Sequence, residues 1–407
     1  MGLPARGKTF LARKIVRYLS WLGIKSIVFN VGNYRRLLVG AEKKADFFDP
    51  ENAKGASLRR EAAMQCLDDL FKWLRTEGGQ VAVYDATNST KDRRDEIRKR
   101  CGENGVEVIY VETLCTDQEQ IAFNVRETKL FSPDYKNMTA EEAIQDFKKR
   151  IAQYEKAYET LEDDQLSYLK LINVGPERKI IINRPTVSIM ARLASYAMNL
   201  HIQRRVIYLT RHGESEANRT GKIGLDTDLS ADGVLYSVAL AAFLGKHFSR
   251  DADVKVWTST MRRTIQTASR LSWDRVAWKA LDEIDAGRCD GMSYEEIEQR
   301  MPEEFSMRKA DKLTYRYPRG ESYQDVMIRL EPILLEMERV TQPLVIVAHQ
   351  AILRVLYGYL KDIPPTEVPN IEIPLHCVIE LVPKTYGVEE QRHPLMIEPK
   401  LGSSPYS

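Results

Sequence analysis

Val206-Ile-Tyr-Leu-Thr-Arg211-His212-Gly213-Glu214 is an apolar, partly β-branched run that stops abruptly at Arg-His-Gly-Glu. Such a run reads as a buried strand, and the charged stop places His212 and Arg211 at its C-terminal end. A neutral imidazole beside a guanidinium can accept a phosphoryl group, with the arginine holding the phosphate in line. A lone His before Gly is more often structural, so the surrounding sequence has to decide. Downstream, Asn218 and Gly224 lie on the next loop. Thr258-Ser-Thr-Met-Arg-Arg263-Thr-Ile-Gln-Thr267 brings a second arginine, Arg263, to a helix start. Asp282-Glu283-Ile-Asp-Ala-Gly287 offers a carboxyl in an apolar setting, and Val345-Ile-Val-Ala-His349-Gln350 sets a second histidine at another strand end. Open α/β sheets gather their ligands at such strand ends. Two histidines, two arginines and a glutamate therefore point to phosphoryl transfer, with Glu283 favoured over Glu214 as the acid. His201, His247, His376 and His393 lack such context and read as structural.

Around this stretch the second half alternates strands (Val206–Leu209, Val254–Thr258, Leu344–Val347) with helices (Ala231–Lys246, Arg262–Leu271, Ala351–Leu360). The first half alternates in the same way. Its strands are Ser26–Asn30, Gln80–Tyr84, Val106–Glu112 and Lys170–Val174, and its helices are Thr9–Leu22, Ser57–Arg75, Lys91–Cys101 and Ala140–Ser167. The fold class is α/β in two domains, 1–203 and 204–407, each a largely parallel sheet covered by helices. Gly175–Pro176, Lys179–Asn183 and a helical run to about Leu200 join the halves, and the stretch from about Val388 reads as a polar, irregular tail.

Gly2-Leu3-Pro4-Ala5-Arg6-Gly7-Lys8-Thr9 fits G-x-x-x-x-G-K-[ST], directly ahead of a helix. Its glycines let backbone N–H groups wrap a polyphosphate, Lys8 reaches the outer phosphates, and Thr9 can hold Mg²⁺. Gln80-Val-Ala-Val-Tyr-Asp85 ends an apolar run in the second acidic metal position. Such loops follow a buried strand, whereas here only Met1 precedes Gly2. The expectation is a phosphate-loop sheet whose first strand is missing.

The formal net charge of +2 gives no global attraction to nucleic acid or membrane, and no apolar run is long enough to span a bilayer. Cys66, Cys101, Cys115, Cys289 and Cys377 are scattered and odd in number, which reads as reduced thiols of a cytoplasmic protein.

From Gly2 to about Tyr386 these residues resemble the bifunctional 6-phosphofructo-2-kinase/fructose-2,6-bisphosphatase family. The resemblance is carried by the phosphate loop, by Val-Gly-Asn-Tyr-Arg35-Arg36, Tyr-Asp85-Ala-Thr87-Asn and Lys129-Leu-Phe-Ser-Pro-Asp-Tyr135. In the second half it is carried by Arg211-His-Gly-Glu, Arg263-Thr-Ile-Gln-Thr, Glu283-Ile-Asp-Ala-Gly, Tyr315-Arg-Tyr-Pro-Arg-Gly-Glu-Ser-Tyr323 and His349-Gln-Ala. It implies a phosphate-loop kinase half followed by a histidine-phosphatase half of phosphoglycerate-mutase type. It further implies ATP on Gly2–Thr9 and Asn124, Mg²⁺ on Thr9 and Asp85, and kinase catalysis by Asp85, Cys115 and Lys129. Fructose 6-phosphate would be held by Arg35, Arg59, Thr87, Arg93, Arg150 and Tyr154. In the other half His212 would take the 2-phosphate of fructose 2,6-bisphosphate, Arg211, Arg263, Asn218 and His349 would bind it, and Glu283 would be the acid. Gly224, Tyr294, Arg308, Lys312, Tyr323, Gln350 and Arg354 would hold the sugar and its other phosphate, with no metal. The partners so implied are sugar phosphates and ATP, without nucleic acid or membrane, and a homodimer. Departures are Arg319, where relatives mostly carry Lys, and Asp226–Asp228, where they are richer in Gly. A phosphatase beside an inactive, nucleotide-sensing first half stands as the competing expectation.

Overall fold

The computed structural model describes residues 1–41, 43–129, 133–173, 178–201, 203–384 and 387–395; of residues 127–129 it describes the main chain alone. The chain divides into two compact units, Met1–Ile202 and Gln203–Ser407.

In the first unit the strands are β1 (Ser26–Asn30), β2 (Val81–Asp85), β3 (Tyr110–Leu114), β4 (Tyr168–Ile172) and β5 (Lys179–Asn183). The helices are α1 (Lys8–Trp21), α2 (Val31–Val39), α3 (Ala53–Thr76), α4 (Lys91–Glu103), α5 (Gln118–Lys129), α6 (Ala140–Glu155) and α7 (Ser188–Asn199). β1 and β2 pair in parallel as one small sheet, and β3, β4 and β5 form another, with β5 antiparallel to β4. Between them stands Met1. Its ammonium donates to Val111 O, its carbonyl accepts from Thr113 N (3.0 Å), and Gly2 N–H donates to Thr87 O beyond the end of β2 (3.1 Å). Met1 and Gly2 thus tie the two small sheets together through three backbone hydrogen bonds. Burial pushes the Met1 amine down to about 5, and the Lys8 ammonium adds to the effect.

Three differences from the sequence reading have a visible cause or bear on the connection between the halves. The strand expected at Val106 starts at Tyr110, because Val106 N–H closes the end of α4 on Cys101 O (2.9 Å). The helix expected to Ser167 ends at Glu155, and beyond it Thr160 Oγ1 and Leu161 N–H converge on the buried carboxylate of Glu112 (2.9 and 3.1 Å). Lys179–Asn183 is a strand, not part of a connector; Val174–Glu177 lie outside the described residues.

In the second unit β6 (Ile207–Arg211), β7 (Lys255–Thr258), β8 (Arg275–Ala277), β9 (Leu344–Ala348), β10 (Cys377–Lys384) and β11 (Gly387–Pro394) form one sheet. Its order is β11-β10-β6-β9-β7-β8, with β10 antiparallel to both neighbours and the other pairs parallel. Its helices are α8 (Glu216–Arg219), α9 (Ala231–His247), α10 (Arg262–Ala268), α11 (Tyr294–Arg300), α12 (Pro302–Ala310), α13 (Tyr323–Arg339) and α14 (Gln350–Lys361). The supposed tail from Val388 is therefore the outer strand of a hairpin. All five residues of β9 are buried, as four of five are in β6, which fits strands covered on both faces. The parallel run of β6, β9 and β7 brings Arg211, Ala348 and Thr258 to one edge of the sheet.

Candidate active sites

At that edge His212 N–H donates to Ala348 O (3.0 Å), which locks the His212 loop to the end of β9. On its other side the loop packs against the start of α9, where a Cβ on Gly213 would lie 2.5 Å from Gly233 O. His212 Nδ1 lies 2.6 Å from Gly213 O, so Nδ1 carries the proton and Nε2 keeps its lone pair. The His349 ring lies 5.2 Å from that of His212, centroid to centroid. Burial, with Arg263 next, holds both imidazoles well below their ordinary range. Arg263 is buried and Arg211 half-buried, and loss of solvent lowers Arg211 to about 10, with Glu283 opposing at both arginines. Arg211 Nη1 donates to Ile373 O (3.2 Å) and Arg263 Nη1 to Leu225 O (2.5 Å). Glu283 Oε1 accepts from Ile284 N (3.0 Å) and from Ala351 N at the start of α14 (3.2 Å). That bond presents the carboxylate beside His349 and Gln350, which opens the same helix.

A second cationic group borders this one. Arg308 donates to Tyr317 OH (2.7 Å) and Tyr294 OH (2.9 Å), with its guanidinium 4.7 Å above the Tyr294 ring. Arg354 donates to Tyr323 OH (3.0 Å) and Ile371 O (2.6 Å), and Lys312 to Asn370 Oδ1 (3.1 Å). Burial lowers Lys312, and the positive charges of Arg308 and Arg354 lower it further. Three cations held by neutral partners make an anion pocket. Asn218 sits at the end of α8 in a capping box, its Oδ1 accepting from Ser215 N (3.0 Å), so only its amide nitrogen can face a phosphoryl group. Gly224 (φ 72°) is there for a neighbour, since a Cβ would lie 1.4 Å from Asp290 Oδ1, the acceptor of Leu225 N–H (2.7 Å).

In the first unit Gly2–Gly7 turns ahead of α1, with Gly7 at φ 81° as its cap. Gly2 passes so close to β3 that a Cβ would meet Thr113 O at 2.4 Å. Lys8 Nζ donates to Leu3 O (2.7 Å), and Asn124 Nδ2 to Ala5 O (3.0 Å). Thr9 Oγ1 donates to Asp85 Oδ2 (2.8 Å), and Asn30 Nδ2 to the same oxygen (2.5 Å). An alcohol and a carboxylate converging at the mouth of the loop suit a hard cation such as Mg²⁺. Cys115 is half-buried with its thiol toward Asp117 O (3.7 Å), and burial pushes it above its ordinary range. The Lys129 side chain lies outside the described residues.

Four of the sugar-phosphate candidates gather on one ring. Around Phe48, in the 3₁₀ turn Ala45–Phe48, stand the guanidinium carbons of Arg150 (3.7 Å), Arg35 (5.6 Å) and Arg59 (6.0 Å), with the Tyr154 ring at 5.9 Å. Asp134 holds Arg35 through two bonds (2.9 and 2.7 Å) and also meets Arg150 (3.2 Å) and Arg36 (3.6 Å). Arg93 turns to Tyr84 OH (3.3 Å) instead, and Thr87 joins the phosphate loop through its carbonyl.

Two domain families match, 6-phosphofructo-2-kinase over residues 1–204 and the histidine phosphatase superfamily (branch 1) over 207–393. The chain is 47% identical over 390 residues to 6-phosphofructo-2-kinase/fructose-2,6-bisphosphatase 4 of Rattus norvegicus, covering 95% of this chain and 82% of that protein. It is 47% identical over 400 residues to the 6-phosphofructo-2-kinase/fructose-2,6-bisphosphatase of Arabidopsis thaliana, covering 97% of this chain and 53% of that one. This chain belongs to the 6-phosphofructo-2-kinase/fructose-2,6-bisphosphatase family. Among solved structures, Bacillus stearothermophilus YhfR aligns over 44% of this chain and 90% of its own, with 26% identity and a TM-score of 0.40.

For a member of this family, several side chains passed over in the sequence set the site. Arg329 donates to Ala280 O (2.6 Å) and Asp282 O (3.0 Å) and fixes the strand of chain that carries Glu283. Thr267 Oγ1 accepts from Gly213 N–H (2.9 Å), next to His212. His376, read from the sequence as structural, accepts from Glu214 N–H (3.1 Å) and so touches the His212 loop. Asp134, Phe48 and Asn30 complete the kinase half. Of these, only Asn30 carried a signal, as a polar residue at a strand's C-terminal end.

Proposed function

We propose that this chain synthesises and hydrolyses fructose 2,6-bisphosphate at two separate sites. The hydrolytic reading rests on one observation: a buried His212 whose Nδ1 proton is committed to Gly213 O at 2.6 Å, leaving Nε2 beside Arg211, Arg263 and His349. Nε2 attacks phosphorus of the 2-phosphate, and the bond to the sugar oxygen breaks. Glu283 gives that oxygen its proton. Glu283, now a carboxylate, then takes a proton from water as it attacks the phosphohistidine and releases inorganic phosphate. Arg211 and Arg263 supply the positive charge, so no metal is called for. Arg308, Lys312 and Arg354 take the 6-phosphate, with Tyr294, Tyr323 and Gln350 on the sugar.

In the first unit, Gly2–Thr9 and Asn124 hold ATP, and Arg35, Arg59 and Arg150 hold fructose 6-phosphate over Phe48, with Tyr154 beside them. Asp85 orients the sugar hydroxyl that receives the phosphoryl group, while Thr9 and Asp85 would hold Mg²⁺. That ion supplies charge neutralisation for the transferred group. Cys115, Lys129, Thr87 and Arg93 belong to the same proposal. A cytoplasmic location fits the free cysteines, and a homodimer belongs to the same proposal.

The test is trapping of a radiolabelled, acid-labile phosphoenzyme from 2-labelled fructose 2,6-bisphosphate. His212→Ala should abolish it, and persistent labelling would identify a different nucleophile. In a second reading the first unit binds nucleotide and gates the phosphatase without making the bisphosphate. Incubation with ATP, Mg²⁺ and fructose 6-phosphate decides, since ATP binding without formation of the bisphosphate would establish this reading.

A further inference from the structure

His349 is fully buried, and its two ring nitrogens meet different fates. Nε2 lies 2.8 Å from Ser259 Oγ, at the end of β7. Nδ1 has no hydrogen-bond partner among the described residues. Arg211 Nε, also buried beside this ring, shares that condition. Two buried polar atoms without protein partners, in a pocket already holding two guanidinium groups, are groups kept for a ligand. A neutral imidazole has one proton, however, and the value of Nδ1 to an anion depends on where that proton sits. As a donor it binds a phosphoryl oxygen; as a bare lone pair it repels one.

Ser259 is placed to decide. Its Oγ accepts from Met261 N–H (3.1 Å) and lies 2.7 Å from Thr264 Oγ1, and both hydroxyls are buried. When Thr264 donates to Ser259, both acceptor positions of Ser259 are filled, and its single proton goes to His349 Nε2. The reverse chain is also geometrically complete, with His349 Nε2–H donating to Ser259, Ser259 to Thr264, and Thr264 to Met261 O (2.8 Å). An anion between Arg211, Arg263 and His349 selects the first direction, because only that one turns N–H toward it.

We propose that Ser259, backed by Thr264, is a positioning residue that holds His349 in the Nδ1–H form and thereby makes it a phosphate donor. This rests on the reading of the site as a phosphohistidine phosphatase, yet its test is separable. Selectively ¹⁵N-histidine-labelled full chain, saturated with inorganic phosphate, is read by ¹⁵N–¹H correlation of the imidazoles. The wild type should show His349 protonated at Nδ1 with Nε2 bare. Ser259→Ala should move the proton wholly or partly to Nε2 and weaken phosphate binding about tenfold, the usual worth of one such donor. Its phosphatase kcat should fall further than its KM rises, and Ser259→Thr, which keeps the hydroxyl, should restore the tautomer. Should Ser259→Ala fail to fold, Thr264→Val serves, with a smaller shift in the same direction. A wild-type proton on Nε2 in the phosphate complex, or an unchanged tautomer in the variants, overturns the proposal. If instead the tautomer behaves as stated while His212→Ala still forms labelled phosphoenzyme, it is the phosphatase reading that falls.

Discussion

β2 and β9 occupy matching places in the two halves: each is an apolar parallel strand that delivers a polar residue, Asp85 or His349, to the candidate site of its unit. Their surroundings differ. β9 is paired on both sides and buried along its whole length, whereas β2 pairs only with β1, and four of its five residues are half-buried. The dry strand can carry neutral histidines, because exclusion of water is what depresses them. The half-buried strand ends in Asp85, itself buried, whose carboxylate two side chains hold by hydrogen bonds. Burial of the supporting sheet thus selects the kind of chemistry that each strand end can offer.

The largest effect to expect from probing that contrast is on the kinase side. Asp85→Asn should lower synthesis of the bisphosphate by about 10³-fold, of the order seen for loss of one electrostatic group, and leave hydrolysis unchanged. A parallel loss of hydrolysis would show that the halves are not independent. Next, Ile346→Ala, in the centre of β9, should cost about 3 kcal/mol in denaturant unfolding of the second unit. Val83→Ala, at the centre of half-buried β2, should cost about 1 kcal/mol or less. Equal costs would break the comparison. Acid supplies an intermediate case. His212 and His349 stay neutral when folded but bind protons in the unfolded chain below about pH 6.5, so the unfolded state gains protons first. Stability of the second unit should therefore fall as pH drops from about 7 toward 5, by up to about 1.4 kcal/mol per pH unit for each histidine. His349→Asn should flatten that slope in a pH series of melting curves. The smallest effect belongs to Cys115→Ser, whose half-buried thiol packs at the rim of the Ala5–Ile121–Val125 cluster and turns to Asp117 O. It should change melting by no more than about 1 kcal/mol, as judged by calorimetry.

The buried strands were legible because burial on both faces forces unbroken apolar runs, and a sudden Arg-His or Ala-His ends them. The β10–β11 hairpin was not. Gly387-Val-Glu-Glu-Gln-Arg-His-Pro394 is an outer strand with alternate residues exposed, and its pairing with Cys377–Lys384 supplies what its composition lacks. The end of α6 was hidden for a related reason, since Glu112, more than forty residues away in sequence, collects the segment that follows. Arg59 and Arg150 read as solvated helix charges until the family resemblance marked them. Their shared partner is an aromatic face, and no spacing rule connects positions 48, 59 and 150. Ser259 stood inside a quoted motif without a role, because the direction of a hydroxyl is set by two neighbours that meet only in the fold.

Phe48 makes the sugar-phosphate cluster adjustable in small steps. Its ring attracts the three guanidinium groups through the negative charge of its face, which ring fluorination removes gradually while shape changes little. A series of fluorinated phenylalanines at this one position would act as a dial on how firmly three arginines are held, converting an all-or-none anchor into a graded electrostatic ruler.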